Sequence, residues 1–245
     1  MPTTVFHRLK SLGRDELSAF VAENLRLLAE DEALAVLENP HCTPAICQAI
    51  AQTARVIAYY SVRLKLIGHR ATPQAHAVKL VHYIYWTDLV RLSIDVTVPA
   101  QVRRAIDKQL LLKVDKLTLG EKVASAKRCS PALIKVFLFD PDTKVLAALL
   151  VNQRVREEEI VLLASSPRAS ADQLAMIGSD RRWSSRYAVR KALVMNPTTP
   201  RATAASMLRF LSRADLRMIH AKPETSVYLR RCIERMRPSD FSGPG

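Results

Sequence analysis

The feature that most constrains the fold is a polar residue followed directly by proline, which recurs between short apolar segments. Such pairs occur at Thr43-Pro44, Thr72-Pro73, Ser130-Pro131, Asp140-Pro141 and Thr199-Pro200. A hydroxyl or carboxylate can accept a hydrogen bond from an unpaired first-turn N–H, and proline costs little at the first helical position because its missing N–H has no partner there. Each pair therefore predicts the start of a helix.

The stretch that begins at Ser170 shows how such helices follow one another. Ser170 and Gln173 have the spacing of a capping box, so a helix is expected to begin there. A second helix is predicted over Ser184–Met195, because an Asn-Pro pair follows it and the residue before proline is disfavoured in the helical region. Its predicted buried stripe consists of Ala188, Val189, Ala192 and Leu193. Thr199 as N-cap and Pro200 at the first helical position predict the third helix.

Three segments of this stretch, QLAMIGSD, YAVRKAL and MNPTTP, match consecutive parts of a known repeat. In this pattern the chain resembles the variant leucine-rich repeat family, a HEAT-like group of helical repeats. The resemblance implies an all-α fold, an irregular right-handed α-solenoid of short stacked helices. Such helices are expected to stack because a short helix pair cannot bury its apolar face alone.

Composition supports a helical protein of considerable size. The chain has 245 residues, of which 49% are hydrophobic, and only 6 are glycine, which disfavours the Gly-rich turns of nucleotide-binding α/β folds. Because no linker-like stretch divides the chain, residues 1–237 are predicted to form a single helical-repeat domain, and 238–245 a disordered tail. A compact irregular helical bundle is the alternative. One continuous helix is expected over Arg55–Ile67, and a second capping box at Thr118 and Glu121.

The cysteines and histidines do not form a metal-binding pattern in the sequence. Cys42, Cys47, Cys129 and Cys232 contain neither a C-x-x-C pair nor zinc-finger spacing, and the sequence lacks H-E-x-x-H. The cysteines are interpreted as small buried side chains of a reducing compartment. No metal and no cofactor are predicted; a bound iron or zinc would mean that Cys42 and Cys47 meet distant ligands in space.

The N-terminal segment MPTTVFHRLKSLG lacks the apolar core of a signal peptide. No run of about 18 apolar residues is present, which is the length that a transmembrane helix needs. Both observations predict a cytoplasmic protein without a transmembrane segment.

A formal net charge of +14 favours anionic partners. The C-terminal third is rich in arginine, whose planar guanidinium suits carboxylate and phosphate groups. If stacked repeats align these side chains, they form a basic ridge that binds an anionic partner. The predicted binding residues are Arg181, Arg182, Arg186, Arg190, Lys191, Arg213 and Arg217. The alternative is a solvated basic face.

Three functions follow in order of preference. The first is a non-catalytic interaction scaffold with a basic surface that binds an acidic protein partner. The second is a nucleic-acid-binding protein that uses arginine–phosphate contacts. The third is an enzyme that resembles HEAT-like DNA glycosylases in size, charge and helical build; such enzymes handle an extruded base with an acidic residue and aromatics, and Trp86 with Asp88, and Trp183 with its neighbouring arginines, are the residues compared with them. No catalytic residue can be assigned from motifs, so the protein is predicted not to be an enzyme.

Overall fold

The computed structural model describes the backbone of residues 2–241 and the side chains of residues 7–240. This part of the chain contains helices and no β-strand, which confirms the all-α prediction. None of its helices is both long and apolar enough to cross a bilayer. The chain divides into two compact units, one ending at Leu117 and the other beginning at Thr118. The single domain over residues 1–237 stays a prediction.

The first unit consists of nine α-helices with two short 3-10 turns, over its described residues. They are α1 Pro2–Ser11, α2 Arg14–Asn24, α3 Glu30–Glu38, α4 Pro44–Gln52, α5 Ala54–Ile57, α6 Tyr60–Gly68, α7 Gln74–Leu80, α8 Trp86–Ser93 and α9 Ala100–Lys113, and the turns are Val81–Tyr83 and Val114–Lys116. The core is formed by fully buried side chains such as Leu17, Leu66 and Ile106.

The second unit is built from the remaining helices. They are α10 Leu119–Ala126, α11 Pro131–Phe137, α12 Thr143–Leu150, α13 Glu157–Ala164, α14 Ala171–Ser179, α15 Arg181–Ser184, α16 Tyr187–Met195, α17 Arg201–Leu208, α18 Arg213–Ala221, α19 Val227–Met236 and α20 Pro238–Phe241. The capping boxes expected at Thr118 and Ser170 are both present, since each hydroxyl accepts from the amide three residues later.

The two units repeat the same helical plan at a fixed offset along the chain, the offset that separates Tyr60 from Tyr187. We call this offset the repeat interval. It carries both bounds of α4 onto those of α14, α5 onto α15 and α6 onto α16 without a shift. It also relates α3 to α13, α7 to α17, α8 to α18 and α9 to α19 within a few residues at their ends. Corresponding helices pack together in both units: α3 on α6 as α13 on α16, and α7 on α9 as α17 on α19. The chain therefore contains an internal duplication.

A tyrosine contact in the first unit ties the start of α6 to the start of α8. The Tyr60 hydroxyl donates to Asp88 Oδ2 at 2.5 Å and accepts from the backbone N–H of Tyr85 at 3.3 Å. Burial, followed by the hydrogen bond to Asp88, raises the pKa of Tyr60. One side chain thus joins the ends of two helices that are separated by α7.

The same contact recurs in the second unit at the corresponding positions. Tyr187 opens α16, and its hydroxyl donates to Asp215 in the first turn of α18. It also accepts from the backbone N–H of Ser212 at 3.0 Å. Because each of these partners lies one repeat interval after its counterpart, the duplication extends to individual hydrogen bonds.

Buried asparagines close the turns between helices. Asn196 Nδ2 donates to the carbonyl of Ala164 at 2.8 Å, and its Oδ1 accepts from the N–H of Thr198 at 3.0 Å. Asn39 and Asn152 make the same two kinds of bond. In each, Nδ2 donates to the carbonyl of an earlier helix, and Oδ1 accepts from the backbone N–H two residues after the asparagine. The last carbonyls of a helix have no partner inside that helix, so buried helix ends need such donors.

Two of the expected helices are interrupted. The continuous helix expected over Arg55–Ile67 is wrong, because the chain is extended at Tyr59 and α6 begins only at Tyr60. Likewise α16 begins at Tyr187 rather than Ser184, after an extended Arg186. In both units the break places a tyrosine at a helix start, where its hydroxyl can reach the aspartate of a later helix.

The polar-proline pairs differ in how they cap. Thr43 is an N-cap as predicted and accepts from the amide of Ile46. At Thr72 and Thr199 the helix begins one residue later, with a proline in the cap position. Neither of these buried threonines caps its helix. The cap expected at Asp140 is also displaced, to Asp142.

The end of the chain is helical for one turn beyond the expected domain. Residues 238–241, assigned from sequence to the tail, form α20, and its Asp240 accepts from Arg213 and Arg217. Residues 242–245 lie outside the described part of the chain.

Replacing Asn196 with Ala tests the closing role of the buried asparagines. The substitution removes the donor to two carbonyls, those of Ala164 and Ser166. Leaving buried groups unpaired costs about 1–3 kcal/mol each, so the free energy of unfolding should fall by about 3 kcal/mol in urea denaturation. Thr198→Ala, at an exposed neighbour, should change it by less than about 0.5 kcal/mol. Equal effects would contradict the closing role.

Candidate functional site

The seven residues predicted to form a basic ridge have different roles in the structure. Arg181 and Arg186 are exposed, and their side chains make no hydrogen bond or ion pair with the described residues. Arg181 is the first residue of α15, and Arg186 is the extended residue that precedes α16. These two side chains are available to an anionic partner as predicted.

Arg182 is committed to the fold. Its guanidinium donates to the carbonyls of Leu150, Asn152 and Val155 at 3.1–3.4 Å and lies over the ring of Trp183 at 4.2 Å. Trp183 itself donates from Nε1 to the Leu150 carbonyl at 3.3 Å. Arg182 therefore caps the C-terminal end of α12 and the turn after it, and most of its donors are unavailable to a partner.

Arg190 has a comparable internal role. Its Nε donates to the carbonyl of Ser184 at the end of α15, and its guanidinium lies 4.0 Å from the centre of the Phe210 ring. The side chain is half-buried. It joins α15, α16 and the end of α17, with part of its charge still exposed.

The other three cations form ion pairs. Lys191 Nζ lies 2.7 Å from Asp215 Oδ1, and this contact, followed by the Tyr187 hydroxyl, lowers the pKa of Asp215. Arg213 and Arg217 both bond to Asp240 of α20, where the Arg213 contact lowers the pKa of that carboxyl. Five of the seven residues thus have internal partners, and they do not form a continuous free ridge.

A groove in the second unit offers a better-defined surface. It has a volume of about 460 Å³ and lies between α13, α16 and the end of α18. Its lining residues are Val161, Ser165, Pro167, Ala188, Lys191, Ala192, Met195, Asn196, Pro197 and Lys222. Apolar atoms form the floor, and the only charged lining residues are two lysines. We call this surface the second-unit groove.

The first unit has a groove at the corresponding place, of about 800 Å³. Its lining residues are Leu34, Ser61, Leu64, Lys65, Gly68, His69, Arg70, Arg91, Leu92, Asp95 and Thr97. Most of these lie one repeat interval before a lining residue of the second-unit groove, from Leu34 with Val161 to Asp95 with Lys222. We call it the first-unit groove.

The charges around the two grooves differ. In the first unit, Lys65 pairs with Glu38 at 3.0 Å, and Glu38 also binds Lys10, so that these contacts, Lys10 first, lower the pKa of Glu38. Asp95 adds a second carboxylate at the rim. In the second unit, Lys191 pairs with Asp215, while Lys222 makes no ion pair with the described residues. No carboxylate lies among the described residues that line the second-unit groove, so its lining charges are all cationic.

Sequence reasoning missed both grooves. The prediction placed Ala188 on the buried stripe of its helix, whereas the structure exposes it in the second-unit groove and buries Val189 and Leu193. The available signal was the repeat interval, which pairs Tyr60-x-Val-Arg with Tyr187-x-Val-Arg and Thr72-Pro with Thr199-Pro.

Comparison with family models, with curated proteins and with solved structures finds no significant match. The functional argument therefore depends on the geometry of the described residues.

Two neighbouring arginines distinguish a structural cation from an available one. Arg182→Ala leaves three backbone carbonyls without their donor, so the free energy of unfolding should fall by about 2 kcal/mol. Arg181→Ala should change it by less than about 0.5 kcal/mol, since the side chain is exposed and has no described partner. Urea denaturation followed by far-ultraviolet circular dichroism measures both. Equal stability of the two variants would show that the Arg182 contacts contribute nothing.

Proposed function

We propose that the protein is a non-catalytic helical-repeat interaction scaffold, and that its second-unit groove binds an acidic segment of a partner protein. The single observation that carries the proposal is this groove, which combines an apolar floor with two lysines at its rim. Pockets that bind ligands are commonly mostly apolar, with a few polar groups that fix orientation. A segment that alternates acidic and apolar side chains complements such a surface.

The helical plan supports the scaffold part of the proposal. Short helices that pack on their neighbours, and a plan that occurs twice at a fixed spacing, are features of helical-repeat proteins. A right-handed α-solenoid of the HEAT-like or variant leucine-rich repeat type remains our proposal for their arrangement. Repeat proteins of this kind bind partners along surfaces that the repeats form together.

Electrostatics favours an acidic partner. The chain carries a net charge of +14, which attracts anionic partners and raises their rate of association. Lys222 at the rim has no described carboxylate to neutralise it, and Arg181 and Arg186 add exposed charge elsewhere in the same unit. A carboxylate-bearing segment would gain contacts that the fold itself does not use.

The apolar floor favours protein over nucleic acid. Nucleic-acid binding relies on several arginine or lysine contacts along a phosphate backbone. Most of the predicted cations have partners within the unit, which reduces the number available for such a row. Val161, Ala188 and Met195 would gain little from phosphate but much from apolar side chains. Arginine–phosphate binding remains the second candidate, with Arg181 and Arg186 as its contacts.

Two matched alanines test the groove. Ala188 and Ala202 are both exposed and both occupy the second position of a helix, in α16 and α17, but only Ala188 lines the groove. Glutamate is tolerated near a helix start because the dipole there favours negative charge. Ala188→Glu should weaken binding of a fluorescein-labelled peptide of repeated Glu-Glu-Leu triplets by about tenfold, through like-charge repulsion. Ala202→Glu should leave the affinity within about twofold.

The same measurement, by fluorescence anisotropy at low salt, is made with short oligothymidylate. Equal affinity of the two glutamate variants for the peptide would place the binding site outside the second-unit groove. Binding of oligothymidylate without binding of the peptide would replace the scaffold proposal with the nucleic-acid one. In that case the affinity should fall steeply with salt, because phosphate contacts release counterions.

A further inference from the structure

Three potential metal ligands from distant parts of the sequence meet in the first unit. Cys42 lies in the turn before α4, Cys47 lies one turn inside α4, and His69 follows the end of α6. Cys42 Sγ lies 3.6 Å from Cys47 Sγ, and Cys47 Sγ lies 3.4 Å from His69 Nδ1. All three atoms lie within 4.8 Å of one another, the one such group of histidine, cysteine and acidic side chains among the described residues.

These separations suit a tetrahedral zinc ion. With Zn–S near 2.3 Å and Zn–N near 2.0–2.1 Å, tetrahedral angles place two sulfur ligands about 3.8 Å apart and a sulfur and a nitrogen about 3.6 Å apart. The observed 3.6 and 3.4 Å differ from these values by about 0.2 Å. The third separation, from Cys42 Sγ to His69 Nδ1, is at most 4.8 Å, and side-chain torsions would adjust it to about 3.6 Å on coordination.

The duplication shows that the fold does not need this cluster. One repeat interval later, Cys42 corresponds to Ala169 and Cys47 to Leu174, and both counterparts are buried. His69 corresponds to Asn196. The second unit forms the same helices with two apolar residues and an amide. The three ligand-type side chains are thus a property of the first unit alone.

His69 keeps one role of its counterpart and adds another. Asn196 Oδ1 accepts from the amide two residues later, and His69 Nδ1 accepts from the amide of Ala71 in the same way at 3.2 Å. The imidazole also places Nδ1 3.4 Å from Cys47 Sγ. Imidazole nitrogen is a common zinc ligand, whereas the amide of an asparagine is not. Because Nδ1 accepts a backbone hydrogen bond, the neutral ring carries its proton on Nε2, which is the tautomer that coordinates through Nδ1.

The chemistry of the three side chains suits zinc. Zinc binds cysteine as a thiolate and histidine as a neutral imidazole, and the cluster offers both kinds of ligand. Cys47 has no exposed surface, which excludes a role as a nucleophile toward a macromolecular or bulky substrate.

We propose that Cys42 Sγ, Cys47 Sγ and His69 Nδ1 bind one Zn²⁺ ion, with the fourth coordination position taken by water or a small ligand. Binding forms two Zn–S bonds and one Zn–N bond and breaks the two S–H bonds, whose protons pass to solvent. No oxidation or reduction takes place. The Ala71 hydrogen bond to Nδ1 is given up in exchange for coordination. His69 is half-buried and lines the first-unit groove, which gives the fourth position a route to solvent.

This proposal is independent of the peptide-binding proposal, because it concerns the other unit and a different ligand. Its consequence is a cross-link between the start of α4 and the end of α6. An ion that binds the folded unit and not the unfolded chain stabilises the fold by mass action. Zinc should therefore raise the thermal midpoint of the protein.

The full chain, reduced and freed of metal by a chelator, is titrated first with Co²⁺ and then with Zn²⁺. We expect one ion per chain, sulfur-to-cobalt charge-transfer absorption that Zn²⁺ abolishes, and a higher thermal midpoint with zinc. The test variant carries Cys42→Ala, Cys47→Leu and His69→Asn together, which are the residues of the second unit. It should stay helical by circular dichroism and lose all three signals.

Two further variants refine the result. His69→Asn alone keeps both thiols and should lower zinc affinity by more than about 100-fold, since even partners behind the ligands contribute 10–100-fold. Cys232→Ala, which copies Ala105 at the corresponding position of the first unit, should leave binding unchanged.

Several results would overturn the site. They are no uptake of Zn²⁺ at micromolar concentration by the reduced protein, uptake that the triple variant retains, or uptake that depends on Cys232. A Cys42–Cys47 disulfide in the oxidised protein, together with no metal binding after reduction, would identify the pair as a redox-active dithiol instead.

Discussion

The structure depends on how short helices satisfy their buried ends. A short helix leaves its last four carbonyls without an internal partner, and the packing between neighbouring helices places these ends inside the protein. Asn39, Asn152 and Asn196 meet this need by joining the end of one helix to the turn after another. Arg182 does the same with a longer side chain that reaches three carbonyls. Polar contacts of this kind fix which helices are neighbours, while the apolar core contributes most of the favourable burial.

This constraint explains why net charge alone gave an incomplete picture of the binding surface. Arginine can stack its planar guanidinium on an aromatic ring and still donate hydrogen bonds from its edge, which suits it to cap buried carbonyls. Arg182 over Trp183 and Arg190 over Phe210 are used in this way. A sequence pattern cannot separate Arg182 from Arg181, because the difference is the position of carbonyls that belong to an earlier helix and the turn after it.

The parts of the fold that depend on neighbouring residues were predictable from the sequence, and the parts that depend on contacts between distant residues were not. The all-α class and the capping boxes at Thr118 and Ser170 follow from neighbouring residues, since a cap acts over three positions. The interruption before Tyr60 accompanies a hydrogen bond to Asp88, which lies 28 residues away, and a contact at that separation cannot be identified from neighbouring residues. The duplication is visible in the sequence only through scattered pairs such as Arg55 with Arg182, so the periodic signal is weak. The two grooves and the cluster of zinc ligands arise from this long-range order.

Comparison of corresponding residues in the two units distinguishes those that the shared helical plan requires from those that are particular to one unit. Positions that the plan requires keep their chemistry, as Tyr60 and Tyr187 do with their aspartates. The turn at residues 69 and 196 requires only an acceptor for the amide two residues later, and both an imidazole nitrogen and an amide oxygen provide one. This position could therefore change without loss of the fold. In both units this position also lines a groove. A different side chain there changes which ligands that unit can bind, while the backbone of the turn stays the same.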